Sequence, residues 1–228
     1  MTKLYLVIVC TFLLSAGFAQ KLVQVTIDNR SNAAIISFLV DETVMLNINK
    51  DGNIIDWGIE YNTVRTSIYP AKLLKYMGRE EYYSSTDNEA YRGKIKYIGR
   101  TLITYYSSYE NEEFRGKVKN IGPNLFDYYP SYDDKAFKGN IKNAGSVFIS
   151  YYSSFDDETY RGKIKAVGNI SLTYYGLMDD KAYRGKVKNI DRSLFTYYSS
   201  YDRPGYAGIL KKGSPILYSG GIKYYIKN

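Results

Sequence analysis

The sequence has no histidine, and it has one cysteine and one tryptophan among 228 residues. Without histidine, the chain lacks the most common general base and the most common zinc ligand. Cys10 lies in the apolar N-terminal segment, so the rest of the chain has no thiol nucleophile and cannot form a disulfide. No phosphate-binding loop, dinucleotide-binding fingerprint or Gly-x-Ser-x-Gly motif is present. These absences predict a chain that is not an enzyme and has no metal site and no cofactor.

The N-terminal segment, residues 1–19, has the layout of a secretory signal peptide. Lys3 precedes an apolar run over residues 4–14, and small residues follow at Gly17 and Ala19. The run is shorter than the about 20 residues that a membrane-spanning helix needs. We therefore expect cleavage after Ala19, no membrane span in the mature chain, and a secreted, periplasmic or cell-surface location.

A repeat of 23 residues covers most of the chain. The pair Tyr-Tyr recurs at this interval and begins at Tyr82, Tyr105, Tyr128, Tyr151, Tyr174 and Tyr197. A glycine recurs at the same interval, at Gly93, Gly116, Gly139, Gly162, Gly185 and Gly208. Six copies without an insertion predict a repeat architecture over residues 81–212.

Each copy contains two short runs with β-propensity, separated by an acidic turn. In the second copy these are residues 102–109, LITYYSSY, and residues 114–121, FRGKVKNI. Glycine and aspartate beside such runs predict hairpins, and identical hairpins stacked edge to edge pair with both neighbours. We therefore predict an all-β fold, an elongated antiparallel meander of hairpin repeats in a single-layer, twisted or curled sheet.

Alternation along the strands sorts the side chains to two faces. One face collects apolar residues such as Ile103 and Val118. The other face, called the Tyr–Lys face here, carries rows of tyrosine and lysine: Tyr106, Tyr129, Tyr152, Tyr175, Tyr198, Lys119, Lys142, Lys165 and Lys188. Rings flanked by cations suit sugar rings, acidic polysaccharides or peptide strands. The same arrangement equally suits a face that only supports strand pairing and solubility, so both interpretations of this candidate ligand-binding surface stay open.

The recurring glycine also has two interpretations. Opposite bulky rings, Gly116 and its counterparts would leave room for a neighbouring tyrosine. A glycine at a simple β-bulge would give the same sequence pattern. The sequence does not distinguish the two.

The two ends of the chain do not follow the repeat cleanly. Strands are predicted in ISFLVD, residues 36–41, and on both sides of a turn at residues 50–53. Residues 69–83 resemble half of a repeat, and residues 213–228 contain an apolar strand and a Gly-Gly hairpin. Because the terminal units of repeat arrays must cover a sheet edge, we interpret residues 20–80 as a β cap or small β region and residues 213–228 as a capping hairpin.

A single-layer sheet would leave its apolar face exposed to water. An exposed apolar area of that size usually has a partner. We therefore expect this face to be covered by residues 20–68, by curling of the sheet, or by another molecule, including self-association through the same face.

The 23-residue interval and the pattern Tyr-x-Gly-x-Φ-Lys resemble the MORN repeat, which forms extended arrays of β-hairpins. The pattern occurs at Tyr160, Gly162, Ile164 and Lys165, and again at Tyr183, Gly185, Val187 and Lys188. The sequence differs from that family in lacking its Gly-x-Gly and Asn-Gly segments. The chain also resembles secreted bacterial Tyr-rich repeat proteins with "YYD…GKIKSIG" units, which have no assigned activity. Both resemblances imply a hairpin array over about residues 82–212.

Together these features predict a secreted, non-catalytic repeat protein that acts as a binding or structural scaffold at the cell envelope. Its expected partner is a polysaccharide or another envelope protein. The net charge of +8 favours acidic polymers or anionic surfaces only weakly. Nucleic acid is not expected for a secreted chain.

Two alternatives belong to other classes. Turn carboxylates, such as Asp133–Asp134, Asp156–Asp157 and Asp179–Asp180, would serve a glycan-active enzyme if two of them converged in a pocket. The simpler interpretation, which we prefer, is that these residues are solvated turn positions that balance nearby Lys and Arg. An outer-membrane β-barrel is the other alternative, although lysines on almost every second strand fit a lipid-facing wall poorly.

Overall fold

The computed structural model describes residues 21–61 and 73–228. Within these ranges the chain forms twenty strands and no helix, which confirms the all-β class. The strands form sheets of seven, eleven and two strands. The predicted signal peptide and residues 69–72 of the predicted half-repeat lie outside the described residues.

Six strands precede the first complete hairpin of the array: β1 (Lys21–Asp28), β2 (Ala34–Val40), β3 (Val44–Asn49), β4 (Ile54–Glu60), β5 (Leu73–Leu74) and β6 (Glu80–Tyr82). The repeats form β7 (Ile95–Ile98), β8 (Thr101–Tyr105), β9 (Val118–Ile121), β10 (Asn124–Tyr128), β11 (Ile141–Ala144), β12 (Val147–Tyr151), β13 (Ile164–Val167), β14 (Ile170–Tyr174), β15 (Val187–Ile190), β16 (Ser193–Leu194), β17 (Thr196–Tyr197) and β18 (Leu210–Lys212). The C-terminal strands are β19 (Ile216–Ser219) and β20 (Ile222–Lys227).

The repeats form an antiparallel meander. Every strand from β6 to β16 pairs with the next strand along the chain, which gives an open eleven-stranded sheet. The two-stranded sheet of β17 and β18 continues this order and completes the sixth copy. The predicted meander of hairpin repeats is therefore confirmed.

The strands of each repeat are shorter than the sequence predicts. In the second copy the first strand ends at Tyr105, not Tyr109, and the second begins at Val118, not Phe114. The segment between them consists of turns, closed by a hydrogen bond of 2.9 Å from the Gly116 amide to the Tyr106 carbonyl. Gly116 has a φ of 70°, a left-handed conformation that takes the backbone out of the strand. The prediction of a strand over residues 114–117 was wrong for this reason.

The ends of the chain form the second sheet together, in the order β19-β20-β1-β2-β3-β4-β5. The predicted strand in ISFLVD, the hairpin around residues 50–53 and the C-terminal Gly-Gly hairpin are all confirmed. Strand β20 pairs parallel to β1, with Gln24 opposite Lys223. Residues 216–227 thus add to the sheet begun by the N-terminal strands and do not extend the repeat sheet.

The two sheets share one hydrophobic core. The rings of Phe38 in β2 and Phe126 in β10 have centroids 5.0 Å apart. At the backbone, the Gly52 carbonyl accepts a 3.0 Å hydrogen bond from the Val118 amide. The seven-stranded sheet therefore covers the apolar face of the repeat sheet and removes it from water, as expected for the N-terminal residues, which the C-terminal strands join. That face is consequently not a free surface for self-association.

Candidate functional site

The Tyr–Lys face brings the predicted lysines onto the predicted tyrosines. In each copy a lysine ammonium lies over a ring face, 5.0 to 5.6 Å from the ring centroid; the pairs are Lys119–Tyr106, Lys142–Tyr129, Lys165–Tyr152, Lys188–Tyr175 and Lys211–Tyr198. This is the geometry of a cation–π contact. The ammonium groups thus occupy the ring faces on which a sugar would have to stack.

The hydroxyls of four of these tyrosines point into the protein. Each of the four donates a hydrogen bond of 2.8 to 3.0 Å to a backbone carbonyl 20 residues later; the pairs are Tyr106–Phe126, Tyr129–Ile149, Tyr152–Leu172 and Tyr175–Phe195. Tyr106 and Tyr129 are only 9% exposed, and burial raises the pKa of each to about 12. These residues join neighbouring repeats, a role that the sequence did not reveal. Ligand binding by the Tyr–Lys face stays a prediction.

In the last five copies the first tyrosine of the pair makes a second link that sequence reasoning missed. Its buried hydroxyl donates to the carbonyl ten residues earlier, at 2.6 to 3.0 Å; the pairs are Tyr105–Ile95, Tyr128–Val118, Tyr151–Ile141, Tyr174–Ile164 and Tyr197–Val187. In the second to fifth copies the Tyr-Tyr pair therefore bonds to the preceding copy and to the next copy. The constant spacing of the pair was the available signal for this role.

The lysine after the recurring glycine forms another ladder between copies. Its ammonium donates to a glycine carbonyl 22 residues later; the pairs are Lys94–Gly116, Lys117–Gly139, Lys163–Gly185 and Lys186–Gly208. Burial lowers the pKa of Lys163 to about 8. The third copy has Asn140 and the sixth copy has Ile209 where the other four copies have this lysine.

The turn carboxylates bond to the backbone of the following copy. Asp134 accepts hydrogen bonds from the Ser154 amide and hydroxyl, and Asp180 accepts from the same two groups of Ser200. These bonds and those from amides in their own turns hold the pKa of both carboxyls below the usual value. The carboxylates thus hold the loops in register. No three Asp, Glu, Cys or His side chains lie together in the described ranges as a metal ion would require.

Sequence reasoning also missed a row of exposed side chains at the tips of the repeat loops. In each of the last five copies one large apolar residue is 87 to 97% exposed; we call Tyr109, Tyr132, Phe155, Met178 and Tyr201 the tip row. All are 23 residues apart. A large apolar residue that recurs inside an otherwise acidic and polar loop was the signal for this surface.

Every member of the tip row is the third residue of a β-turn. In the fourth copy the Asp156 amide donates to the Ser153 carbonyl at 3.2 Å, and the Asp156 carboxylate accepts from the Ser153 amide at 2.6 Å. The same backbone bond closes the other four turns. This geometry turns the side chain of Phe155 and its counterparts away from the sheet.

The first copy shows that the turn itself does not require an apolar tip. Thr86 occupies the equivalent position. Its turn closes in the same way, with a 3.2 Å bond from the Asp87 amide to the Ser84 carbonyl and a 2.6 Å bond from the Ser84 amide to the Asp87 carboxylate. The exposed apolar side chains of the later copies are therefore not required for the turn to form.

Comparison with known proteins identifies no relative. No family model matches the chain, and neither a curated protein nor a solved structure is significantly similar to it. No helix in residues 21–61 or 73–228 has the length and apolar character needed to cross a membrane. The proposal of a function therefore depends on the geometry of the repeats.

Proposed function

We propose that this chain is a secreted, non-catalytic scaffold that binds an extended partner at the cell envelope through its tip row. The observation that carries the proposal is the near-complete exposure of five large apolar side chains at one constant interval. Isolated exposed apolar residues are ordinary, but a regular row of them is typical of an interaction surface. A partner that is itself extended makes the same contact with each copy.

The remaining features of the repeat support a scaffold. The tyrosine hydroxyls, the buried lysines and the turn carboxylates all bond to backbone groups of a neighbouring copy. These bonds stiffen the array, so the tips lose little conformational freedom when a partner binds. The same bonds give the turn carboxylates a structural role and disfavour the alternative of a carboxylate-based enzyme.

A cosedimentation experiment with isolated envelope of the producing organism tests the proposal. The tip variant carries Tyr109→Thr, Tyr132→Thr, Phe155→Thr, Met178→Thr and Tyr201→Thr, which copies the natural Thr86. The sheet variant, a matched control, carries Leu102→Thr, Leu125→Thr, Phe148→Thr and Leu194→Thr at apolar positions that are 36 to 51% exposed. Circular dichroism verifies that both variants fold.

We expect wild type and the sheet variant to sediment with the envelope and the tip variant to lose at least about 10-fold in affinity. Equal sedimentation of wild type and the tip variant would overturn the role of the tip row. Release of soluble sugar from the envelope by the pure protein would overturn the non-catalytic part of the proposal.

A further inference from the structure

The tips are held at a fixed separation. The Leu177 amide, next to Met178, donates a 2.8 Å hydrogen bond to Asp157 of the preceding copy. The Ser154 amide, next to Phe155, donates to Asp134 in the same way, at 3.0 Å. Each link connects the residue before one tip to the loop that carries the previous tip. The row is therefore an ordered surface before any ligand binds.

The separation of the tips follows from the sheet. Each copy contributes two strands, and neighbouring strands lie about 4.8 Å apart, so successive tips are separated by roughly 10 Å along the sheet. In an extended β-1,4-linked glycan each sugar ring is turned over relative to the last, so the same ring face returns at every second sugar. Two such sugars span a length similar to one copy of the repeat.

The chemistry beside each tip selects against an anionic ligand. An acidic residue follows every member of the row: Glu110, Asp133, Asp156, Asp179 and Asp202. Cations lie beside most of these acids, since Arg161 and Arg184 donate to the carbonyls of Asp156 and Asp179, and Lys211 pairs with Asp202. The charges beside the tips therefore nearly balance, which favours a neutral ligand over a nucleic acid, an acidic polysaccharide or an anionic membrane surface. Ionised carboxylates accept hydrogen bonds, and sugar hydroxyls donate them. An apolar ring with a neighbouring acceptor suits the apolar face and the hydroxyl rim of a neutral sugar.

We propose that the tip row binds a neutral β-1,4-linked glycan chain, with one tip contacting every second sugar. This inference rests on the proposed function and names its ligand class. Each contact is weak by itself, and affinity grows as a longer chain engages more tips at once. The proposal therefore predicts a dependence on chain length that a single binding pocket would not show.

The test uses isothermal titration calorimetry with chito-oligosaccharides and cello-oligosaccharides of increasing length, from disaccharide to decasaccharide. The α-1,4-linked malto-oligosaccharides and the anionic oligogalacturonates are the comparison ligands. The proteins are wild type, the tip variant, the sheet variant and Thr86→Tyr, which extends the row by one tip. We expect the affinity of wild type to rise with each added disaccharide and to fall at least about 10-fold in the tip variant. Thr86→Tyr should bind the longest chains more tightly than wild type.

Two outcomes would overturn this inference, and the envelope experiment separates them from failure of the proposed function. The first is tighter binding of α-linked or anionic oligosaccharides than of the neutral β-linked ones. The second is no oligosaccharide binding by a wild-type protein that still sediments with envelope through its tips, which would point to a protein partner and leave the proposed function intact. If wild type binds neither oligosaccharides nor envelope, both proposals fail.

Discussion

The ammonium of Lys50 donates a 3.4 Å hydrogen bond to the carbonyl of Gly162, across 112 residues of sequence. A lysine of the array bonds to the equivalent carbonyl of Gly116, Gly139, Gly185 and Gly208, but the third copy has Asn140 where the lysine for Gly162 would stand. Lys50 lies in the turn between β3 and β4 of the covering sheet, and its own carbonyl accepts from the Ile141 amide at 2.8 Å. The covering sheet thus supplies the cation that the array lacks.

Because Lys50 takes the place of the lysine that the array lacks at Asn140, we predict that the effects of changing these two residues on stability are coupled. The Asn140 side-chain nitrogen is buried and has no hydrogen-bond partner among the described residues. We expect Lys50→Met to reduce the free energy of unfolding by about 1 kcal/mol and Asn140→Lys to restore it in the double variant. Urea denaturation of the four proteins measures the coupling. Additive effects of the two substitutions would show that the residues do not serve the same carbonyl.

At the recurring glycine, we predict that an alanine substitution costs less stability in the first copy than in a later copy. Gly185 has a φ of 71°, and a Cβ there would lie 2.6 Å from the Thr159 carbonyl oxygen of the preceding copy. Gly93 also has a φ of 71°, but nothing lies within 4 Å of its Cβ position. We expect Gly93→Ala to cost about 1–2 kcal/mol for the left-handed backbone alone, and Gly185→Ala about 2–4 kcal/mol. Equal losses in thermal denaturation would mean that close approach of the carbonyl is unimportant.

For the first tyrosine of the pair, we predict that loss of a buried hydroxyl costs more stability than loss of an exposed one. The Tyr128 hydroxyl donates a 2.6 Å bond to the Val118 carbonyl, whereas Tyr82, at the same repeat position, is 50% exposed and bonds to Glu80. We expect Tyr128→Phe to lower the free energy of unfolding by about 1–2 kcal/mol, because a buried carbonyl loses its partner. Tyr82→Phe should change it by less than about 0.5 kcal/mol. Guanidinium denaturation compares the two, and a larger effect at Tyr82 would contradict the assigned role.

Alkaline pH should unfold the protein through its tyrosines. Burial raises the pKa of Tyr106 and Tyr129 to about 12. A tyrosine whose pKa is raised in the folded state stabilises the fold fully below the unfolded value near pH 10, and this contribution is lost as the pH rises toward about 12. We expect tyrosinate absorbance and loss of the β-sheet circular dichroism signal to change together in this range. Full ionisation of the buried tyrosines with an intact β signal would refute the assigned burial.

Acidic pH should weaken the links between loops. Hydrogen bonds from the amides of Ala136 and Ser154 hold the pKa of Asp134 below its usual value. A carboxylate with a depressed pKa stabilises the fold above its unfolded value near pH 4, and this contribution is lost as the pH falls through the folded value. We expect the free energy of unfolding to fall below about pH 4, and to fall less steeply in Asp134→Asn. Chemical denaturation at several pH values measures both slopes, and identical slopes would contradict the prediction.

The sequence alone determined the period, the all-β class and the antiparallel order of the array. These properties are local, because β-branched and aromatic runs alternate with turn residues at a constant interval. It also placed the tyrosines and lysines of the Tyr–Lys face beside one another. Alternation fails where the backbone leaves the strand: it would place Tyr105 and Tyr109 on the same face, but Tyr105 is buried and Tyr109 is exposed. The left-handed glycine and the β-turn decide that difference, and alternation does not encode them.

Only the tertiary structure decided what lies on the apolar face and which side chains remain free. The parallel pairing of β1 with β20 joins strands from opposite ends of the chain, a contact that no local pattern predicts. The bond from Lys50 to the Gly162 carbonyl is also a contact that no local pattern predicts. The residue that replaces the array lysine can come from anywhere in the sequence. Burial is a property of the packed molecule. Tyr105 and Tyr109 differ in exposure because Tyr105 faces the covering sheet, whereas Tyr109 is the third residue of a turn and lies in water.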